Sequence, residues 1–384
     1  MQTVPLLRQL TGMLTGAVLA VAGLGASASA NPSLLFDVKT GEVLQHDRAF
    51  QRWHPASLTK LMTAYVTFRA VKDGELALNS PIKVSKNSAA EPPSKMGYKA
   101  GQVMSLDNAL KMMLIKSAND IATAVAENVG GTEKAFVDRM NAEAARLGMA
   151  DSHFVNANGL HSPLQFITAR DLGILVMAIR NEFPEYAPLF SIEGLQAGKK
   201  VLKSYNLLVG RYAGADGMKT GFVCASGFNM IGSATRGDRT LAVVVLGQDS
   251  ADGRTQVAAD LLNQGFAAAR SGNVVLATMA ADTDRAAPPV DMREAICGKK
   301  PAAAQSEAAG EHEKQTKKSP WLEDLDHPIR LATVGLGGAT GPIPKARLDM
   351  EGKEFADVPI PTPRPDYTPI DEAKASMQGD AAAN

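Results

Sequence analysis

The sequence predicts an α+β fold in which terminal helices cover one antiparallel sheet. Strand-like runs occur just after the N-terminus and again over residues 218–246, a series of helical segments lies between them, and one more helix follows. Because a sheet must bury a face against another layer, this order of elements favours a sandwich with an added helical subdomain. The 384 residues, 45% of them hydrophobic, suffice for a large core, either as two domains or as one domain with a tail.

The first thirty residues, 1–30, are predicted to be a secretory signal peptide rather than part of the fold. Arg8 supplies a basic charge, Met13 to Leu24 is apolar or small apart from Thr15, and Ala28-Ser29-Ala30 has the small-x-small form of a cleavage site. The mature chain would then begin at Asn31. An uncleaved membrane anchor is the alternative, because flanking residues can extend the apolar run.

A hairpin and a series of helices open the predicted domain, which spans residues 31–270. The hairpin strands cover 33–38 and 42–45 around a Lys39-Thr40-Gly41 turn. Ser105 is expected to cap one helix, and Thr168 with Asp171 has the spacing of a capping box in another. The predicted helices are 57–71, 105–116, 120–129, 132–147 and 168–180.

After these helices the pattern changes to strand periodicity. Strand-like runs cover 218–223, 227–235 and 241–246, and Arg236-Gly237-Asp238-Arg239 is a hairpin signal between the last two. A final helix is predicted over 255–268. We expect these strands to form the antiparallel sheet and the final helix to cover it.

Residues 271–384 are predicted to be a largely disordered C-terminal tail. Their composition shifts toward alanine, proline and charged residues, most clearly over 301–318. Such a segment buries too little apolar area to offset the entropy lost on ordering. Within it, 327–336 is apolar enough for one local element.

Composition argues against several classes of function. The 40 basic and 40 acidic side chains cancel, so the chain lacks the positive field expected of a nucleic-acid-binding protein. The six histidines form no H-x-x-x-H pattern and no C-x-x-C motif is present, so we expect no metal and no cofactor. Cys224 and Cys297 are too few for a disulfide scaffold, and the sequence leaves open whether they pair.

A candidate nucleophile begins the first predicted helix. Ser57 and Lys60 are three residues apart, so their side chains share one helical face. A serine hydroxyl needs a base to take its proton, and a lysine in apolar surroundings can serve in its neutral form. Free N–H groups at the helix start favour a developing oxyanion. Alone, however, the S-x-x-K pattern is more often solvated helix surface.

Two further motifs can complete a site. Ser117-Ala118-Asn119 offers a hydroxyl and a carboxamide where a helix ends, although an ordinary helix end can carry the same residues. Lys219-Thr220-Gly221 lies in a strand-like run, where the ammonium and hydroxyl suit a carboxylate and Gly221 would let a bound peptide backbone approach. The earlier copy of this tripeptide, Lys39-Thr40-Gly41, lies in a turn that favours glycine, and we assign it no chemistry.

The motifs S-x-x-K, S-x-N and K-T-G in this order are far more specific together than singly. The segments HPASLTKLMTAY at 54–65, KSAND at 116–120 and DGMKTG at 216–221 resemble the low-molecular-weight penicillin-binding proteins, the D-alanyl-D-alanine carboxypeptidases of the S11 serine peptidase family. The similarity extends over about residues 31–268 and includes FVNANGL at 154–160. It implies a penicillin-binding/β-lactamase-like transpeptidase fold.

The resemblance also implies roles for the catalytic side chains. Ser57 would be the acylated nucleophile and Lys60 its general base. Ser117 would relay a proton to the leaving amine. The backbone N–H groups of Ser57 and Phe222 would form the oxyanion hole, although some family members have histidine in place of Phe222.

Substrate binding would fall to a second group of residues. Asn119 would hold the substrate amide, and Lys219 and Thr220, on the strand that contains Gly221, would bind the terminal carboxylate. The family places an arginine after the last strand, which Arg254 matches. Its alternative interpretation is a solvated residue just before a helix.

The implied activity is removal of the terminal D-alanine from peptidoglycan stem pentapeptides through an acyl-enzyme, with β-lactam antibiotics as covalent inhibitors of the same serine. The protein would be exported to the periplasm. Membrane association stays open, since the tail does not resemble the β-rich second domain and amphipathic helix of many members.

Three other functions remain as alternatives: a D,D-endopeptidase, a slow β-lactamase, and a catalytically silent cell-wall-binding module. Class A β-lactamases use S-D-N and a glutamate that activates the deacylating water. This chain has Ala118 in the middle of its motif and no acidic residue over 153–169, so rapid β-lactam hydrolysis is disfavoured.

Overall fold

The structure, a computed structural model, describes residues 31–269, 274–298 and 319–348. The predicted signal peptide at 1–30 and the rest of the predicted tail lie outside the described residues, so those assignments stay predictions. Over the described ranges, no helix combines the length and the apolar character needed to cross a bilayer.

Strands and helices alternate in blocks along the described part of the chain. The strands are β1 (Ser33–Asp37), β2 (Val43–Asp47), β3 (Pro81–Lys83), β4 (Val103–Ser105), β5 (Gly194–Ala197), β6 (Lys200–Lys203), β7 (Ala215–Val223), β8 (Gly227–Arg236), β9 (Arg239–Gln248) and β10 (Leu331–Val334). The α-helices are α1 (Thr59–Lys72), α2 (Lys86–Ala90), α3 (Leu106–Ile115), α4 (Asn119–Gly130), α5 (Glu133–Leu147), α6 (Ala169–Glu182), α7 (Ala187–Phe190), α8 (Ala251–Ala267) and α9 (Arg293–Ile296). Single 3-10 turns occur at Ala56–Leu58, Pro184–Tyr186 and Leu276–Thr278.

A five-stranded antiparallel sheet in the order β2-β1-β9-β8-β7 forms the centre of the domain. Successive side chains of a strand point to opposite faces, and here both faces are buried. On one face, Leu35 and Val243 share a core with Leu262 of α8. On the other, Leu34 and Val244 belong to the larger core that includes α1 and α6. The predicted α+β sandwich is therefore confirmed.

Helix starts follow the predicted capping residues. The Ser105 hydroxyl accepts a hydrogen bond from the backbone N–H of Asn108 at 3.3 Å, and the Thr168 hydroxyl accepts one from Asp171 at 3.1 Å. Helix α8, the final helix that the sequence predicts, begins earlier than predicted, at Ala251, because Ser250 caps it. Arg254 consequently lies inside α8 rather than before it.

The sequence does not predict the three-stranded sheet β10-β5-β6. Its strands have four residues each, and β10 pairs in parallel with β5, Leu331 opposite Gly194. The segments 274–298 and 319–348 pack on the domain with Leu276 and Val334 buried, which differs from the predicted disordered tail. A few apolar side chains suffice there because the domain supplies the rest of the buried surface.

A disulfide between Cys224 and Cys297 ties one of these segments to the end of β7. Met292 donates its backbone N–H to the Ala225 carbonyl at 3.0 Å, and Cys297 packs in a small cluster with Phe222 and Phe228. The pairing that the sequence leaves open is thus present, and it joins residues 73 positions apart.

Candidate active site

Ser57 lies in the 3-10 turn that leads into α1, and its hydroxyl faces Lys60. The Lys60 ammonium is 3.0 Å from the Ser57 hydroxyl oxygen, as the shared helical face predicts. The preceding residue, Ala56, has a φ of +48°, a region in which non-glycine residues are uncommon. Strained backbone of this kind clusters at functional sites, where surrounding packing enforces it.

Lys60 is fully buried and its ammonium has several fixed acceptors. It donates to the Asn119 side-chain oxygen at 2.8 Å and to the backbone carbonyl of Asn158. The Asn119 amide nitrogen in turn donates to the Pro92 carbonyl at 3.1 Å. The predicted substrate residue Asn119 therefore also holds the proposed base in position.

Ser117 and Lys219 form the second hydroxyl–ammonium pair of the site. The Lys219 ammonium donates to the Ser117 hydroxyl at 2.9 Å and to the Thr220 carbonyl at 2.8 Å. Ser117 has a φ of +59°, so its side chain leaves the α3–α4 corner toward β7. Lys219 and Thr220 are each 2% exposed. The structure thus brings the three predicted motifs together.

Gly221 has a packing role besides the predicted one. A Cβ atom at this position would lie 2.9 Å from the backbone nitrogen of Ser57 and 3.1 Å from that of Leu58. The absent side chain therefore lets β7 approach the nucleophile turn, and the approach of a substrate backbone stays a prediction. Gly159 has a similar part, because its Cβ would lie 2.0 Å from the Ala56 carbonyl oxygen.

A cavity of about 430 Å³ opens beside these groups. Its lining comprises Ser57, Pro93, Ser94, Lys95, Lys116, Ser117, Asn119, Gly159, Leu160, Tyr205, Phe222, Val223 and Cys224. Among these lining residues the charged side chains are two lysines, with no aspartate or glutamate. Burial lowers the pKa of His161, next to Leu160, so this histidine is neutral near pH 7. The cavity is suited to an anionic ligand.

Phe222 and Arg254 are placed differently from each other. Phe222 lines the cavity, and its ring packs against Phe228 at a centroid distance of 4.3 Å. Arg254 is 1% exposed and, like Lys219 and Thr220, is not among the residues that line the cavity. Its guanidinium reaches the Gly221 carbonyl at 3.4 Å and the Asn229 carbonyl at 3.2 Å. Arg254 thus contacts the backbone of β7 next to Lys219 and Thr220, and its role as a carboxylate ligand stays a prediction.

Sequence reasoning overlooks three residues that the geometry brings to the site. Asn158 supplies a backbone carbonyl to Lys60, and its side chain donates to Thr123 at 3.1 Å. Lys116 and Tyr205 line the cavity as a hydrogen-bonded pair. A side-chain motif cannot reveal a carbonyl ligand, and nothing in the local sequence relates residues 116 and 205.

The fold and the two hydroxyl–ammonium pairs define the penicillin-binding class of serine peptidases. Residues 20–250 match the S11 peptidase family, described as D-alanyl-D-alanine carboxypeptidase. Because this match covers more than half of the 384 residues, the chain belongs to the S11 family.

Individual relatives agree with this assignment. D-alanyl-D-alanine carboxypeptidase DacD of Escherichia coli is 35% identical over 239 residues, which are 60% of this chain and 62% of the relative. DacB2 of Mycobacterium tuberculosis is 30% identical, over 61% of this chain and 81% of the relative. The chain thus matches less than two thirds of the length of DacD.

Solved structures give the same fold. Penicillin-binding protein 6B of Escherichia coli superposes with a TM-score of 0.59 at 34% identity, covering 62% of this chain and 77% of that one. Penicillin-binding protein D2 of Listeria monocytogenes, in its cefotaxime-bound form, superposes with a TM-score of 0.57 at 31% identity, covering 62% and 97%.

Proposed function

We propose that the protein is a serine-type D-alanyl-D-alanine carboxypeptidase that removes the terminal D-alanine from peptidoglycan stem pentapeptides. The observation that carries this proposal is the pair of hydroxyl–ammonium contacts, Ser57 with Lys60 and Ser117 with Lys219, beside one cavity. One pair can activate the nucleophile and the other can serve the leaving group. The carboxypeptidase names of the relatives support this choice of substrate.

In the acylation step, Lys60 in its neutral form takes the Ser57 proton as the hydroxyl oxygen attacks the scissile carbonyl carbon. Backbone N–H groups of Ser57 and Phe222 would stabilise the resulting oxyanion. As the C–N bond breaks, Ser117 gives its proton to the leaving D-alanine nitrogen and recovers one through Lys219. Water then hydrolyses the ester on Ser57 and restores the hydroxyl, and transfer of the extra proton from Lys60 to Lys219 returns both lysines to their starting states.

A β-lactam would follow the same course as far as the acyl-enzyme. Its amide bond lies within the ring, so the leaving nitrogen stays attached and the serine remains blocked. Penicillins carry a carboxylate near that nitrogen, where Lys219 and Thr220 lie. The cefotaxime-bound form of the Listeria monocytogenes relative supports a covalent β-lactam adduct on the matching serine, Ser57.

The three alternatives are less well supported. Rapid β-lactam hydrolysis needs a carboxylate to activate the deacylating water, and residues 153–169 include no acidic residue, so a β-lactamase with this site would be slow. A silent binding module would not need a buried lysine held against a serine hydroxyl. An endopeptidase would require the cavity to admit a longer leaving group than D-alanine.

Mass spectrometry of the protein treated with a penicillin tests the nucleophile. We expect one added drug mass on wild type, located at Ser57, and none on Ser57→Ala. D-alanine release from a pentapeptide should likewise be lost in Ser57→Ala. An adduct of equal yield in the variant would contradict the assignment, while Thr59→Ala, a neighbouring hydroxyl deletion, should keep the adduct.

Export to the periplasm is part of the same proposal, because peptidoglycan lies outside the cytoplasmic membrane. The predicted signal peptide supports it. Protein recovered from the periplasm should begin at Asn31 by N-terminal sequencing. Intact Met1 in the membrane fraction would favour the anchor alternative instead.

A further inference from the structure

Besides the predicted carboxylate ligands, the cavity next to Ser117 has an ammonium and a phenol hydroxyl among its lining side chains. Lys116 and Tyr205 both line it, and Lys116 is only partly buried. We propose that Lys116 and Tyr205 bind the terminal carboxylate of the leaving D-alanine and select substrates with a free C-terminus. This inference rests on the proposed carboxypeptidase function and names the residues that determine its specificity.

The two side chains form a preassembled donor pair. The Lys116 ammonium donates to the Tyr205 hydroxyl at 2.6 Å and lies 5.0 Å from the centroid of the tyrosine ring. An ammonium has three N–H donors, so two remain for a ligand. The hydroxyl accepts one hydrogen bond from Lys116 and keeps its own proton to donate. A carboxylate is the anion that matches such a pair, since its two oxygens accept several hydrogen bonds.

The pair lies next to the position proposed for the leaving amine. Lys116 directly precedes Ser117, whose hydroxyl contacts Lys219 at 2.9 Å and would protonate that amine. In D-alanine one carbon atom separates the amine from the carboxylate. A leaving group with its nitrogen at Ser117 therefore holds its carboxylate in the cavity that Lys116 and Tyr205 also line.

Arg254 gives the pair a fixed place beside β7. Its guanidinium reaches the Tyr205 backbone carbonyl at 3.4 Å and the Gly221 carbonyl at 3.4 Å. Tyr205 is 4% exposed, so its ring cannot swing away without opening the core. The arginine thereby links the K-T-G strand to the tyrosine.

The charge of Lys116 has no acidic partner among the described residues. By contrast Lys111, on the same helix, pairs with Asp107 at 2.6 Å. Lys116 is also the C-terminal cap of α3, where a cation interacts favourably with the helix dipole. A role limited to that dipole would affect stability and would not distinguish a peptide acid from its amide.

The test compares D-alanine release from a pentapeptide with release of D-alaninamide from its C-terminal amide. We expect Lys116→Met to lower kcat/KM for the acid by about tenfold, mainly through KM, and to leave the amide nearly unchanged, so that the acid-to-amide ratio falls by the same factor. Tyr205→Phe should lower the ratio by about threefold. Lys116→Arg should keep most of it, and Lys111→Met should leave it unchanged.

An unchanged ratio in both Lys116→Met and Tyr205→Phe would overturn the inference. If Lys116→Met does not fold, judged by its circular dichroism melting curve, Tyr205→Phe decides alone, because it removes one hydroxyl and keeps the ring. Failure of the proposed function gives a different result: wild type would release product from neither peptide. A wild type that cleaves both peptides at the same rate would also overturn the inference while leaving the peptidase activity in place.

Discussion

The chain contains the tripeptide Lys-Thr-Gly twice, and the two copies differ in their surroundings. Lys219 and Thr220 are each 2% exposed in β7, and the Lys219 ammonium reaches Ser117. Lys39 and Thr40 are exposed in the turn between β1 and β2. There the backbone N–H of Lys39 donates to the Asp37 carboxylate at 3.0 Å. One copy places its lysine against Ser117 of the candidate site, and the other forms part of a hairpin turn.

The glycines of the two copies are needed for different reasons. Gly221 lets β7 come within 2.9 Å, counted from its absent Cβ, of the Ser57 nitrogen. Gly41 has a φ of +74°, and its carbonyl accepts a hydrogen bond from Leu276 at 2.9 Å. The comparison indicates that the tripeptide contributes to the active site only where a strand places it next to the nucleophile.

Replacement of the lysine in each Lys-Thr-Gly copy should give the largest difference in activity between the two copies. Lys219→Ala removes a charged donor to a carboxylate, worth about 1.5–3 kcal/mol, so kcat/KM should fall by roughly ten- to a hundredfold. Penicillin acylation should slow as well, because the drug carries a carboxylate at the matching place. Lys39→Ala should leave both rates unchanged. D-alanine release and acylation kinetics check this, and equal losses in both variants would remove the distinction between the copies.

Replacement of the two glycines should separate activity from stability. In Gly221→Ala the new methyl group must push β7 away from the Ser57 turn, and we expect about a tenfold loss of acylation rate from the displaced geometry. In Gly41→Ala the residue must hold a left-handed conformation, which costs about 1–2 kcal/mol of stability. Urea unfolding and acylation kinetics on both proteins would measure this. A Gly41→Ala protein with slow acylation but normal stability would contradict the structural role of the turn.

Replacement of the two threonines should give the same contrast between activity and stability, with smaller changes in both. Thr220→Val deletes a hydroxyl proposed to face the carboxylate and should lower kcat/KM by about threefold. The Thr40 hydroxyl accepts from the Glu42 backbone N–H at 3.2 Å, so Thr40→Val should cost about 0.5–1 kcal/mol of stability with no kinetic change. Serine at either position should restore the wild-type value.

How far these features are predictable depends on the range of the interactions. The capping residues Ser105 and Thr168, the turn at Gly41 and the shared face of Ser57 and Lys60 are local patterns, and the structure contains each of them. Pairings over long distances leave no such pattern. The Cys224–Cys297 disulfide, the pairing of β10 with β5 and the Lys116–Tyr205 hydrogen bond form only because the fold brings these residues together.

The close approach of Gly221 to the Ser57 turn is likewise a long-range contact, so the sequence pattern does not predict it. The start of α8 shows how a local signal can be outweighed by another. Ser250 caps the helix at Ala251, so Arg254 lies inside α8 and its guanidinium is 3.4 Å from the Gly221 carbonyl.

Changes to the contacts of the 319–348 segment, which contains neither copy of Lys-Thr-Gly, should have the smallest effect on activity. Burial raises the pKa of the Glu193 carboxyl, but hydrogen bonds from Arg330 and His327 outweigh burial and lower it to about 2. Hydrogen bonds to Asp326 and Glu193 raise the pKa of His327. These contacts hold the segment against β5.

The directions of these two pKa shifts define the pH range in which the contacts stabilise the segment. The lowered pKa of Glu193 stabilises the folded protein above pH 4.5, the ordinary pKa of a glutamate, and this stabilisation is lost as pH falls toward 2. A raised histidine pKa contributes below 6.5 and is lost as pH rises through the folded-state value. Protection of β10 amides from hydrogen exchange should therefore be greatest between these limits. Glu193→Gln should reduce that protection while D-alanine release stays unchanged, and a parallel loss of activity would contradict the separation.

The Cys224–Cys297 disulfide also determines which atoms of the cavity can react with an electrophile. Cys224 lines the cavity with Ser57, and while it is oxidised neither sulfur can supply a thiolate, the reactive form of cysteine. A chain made in a reducing compartment would carry two thiols instead. One of them would lie in the same cavity as the serine, so a covalent label would no longer report on Ser57 alone. The chemical selectivity of the cavity for its serine thus depends on the compartment in which the chain folds.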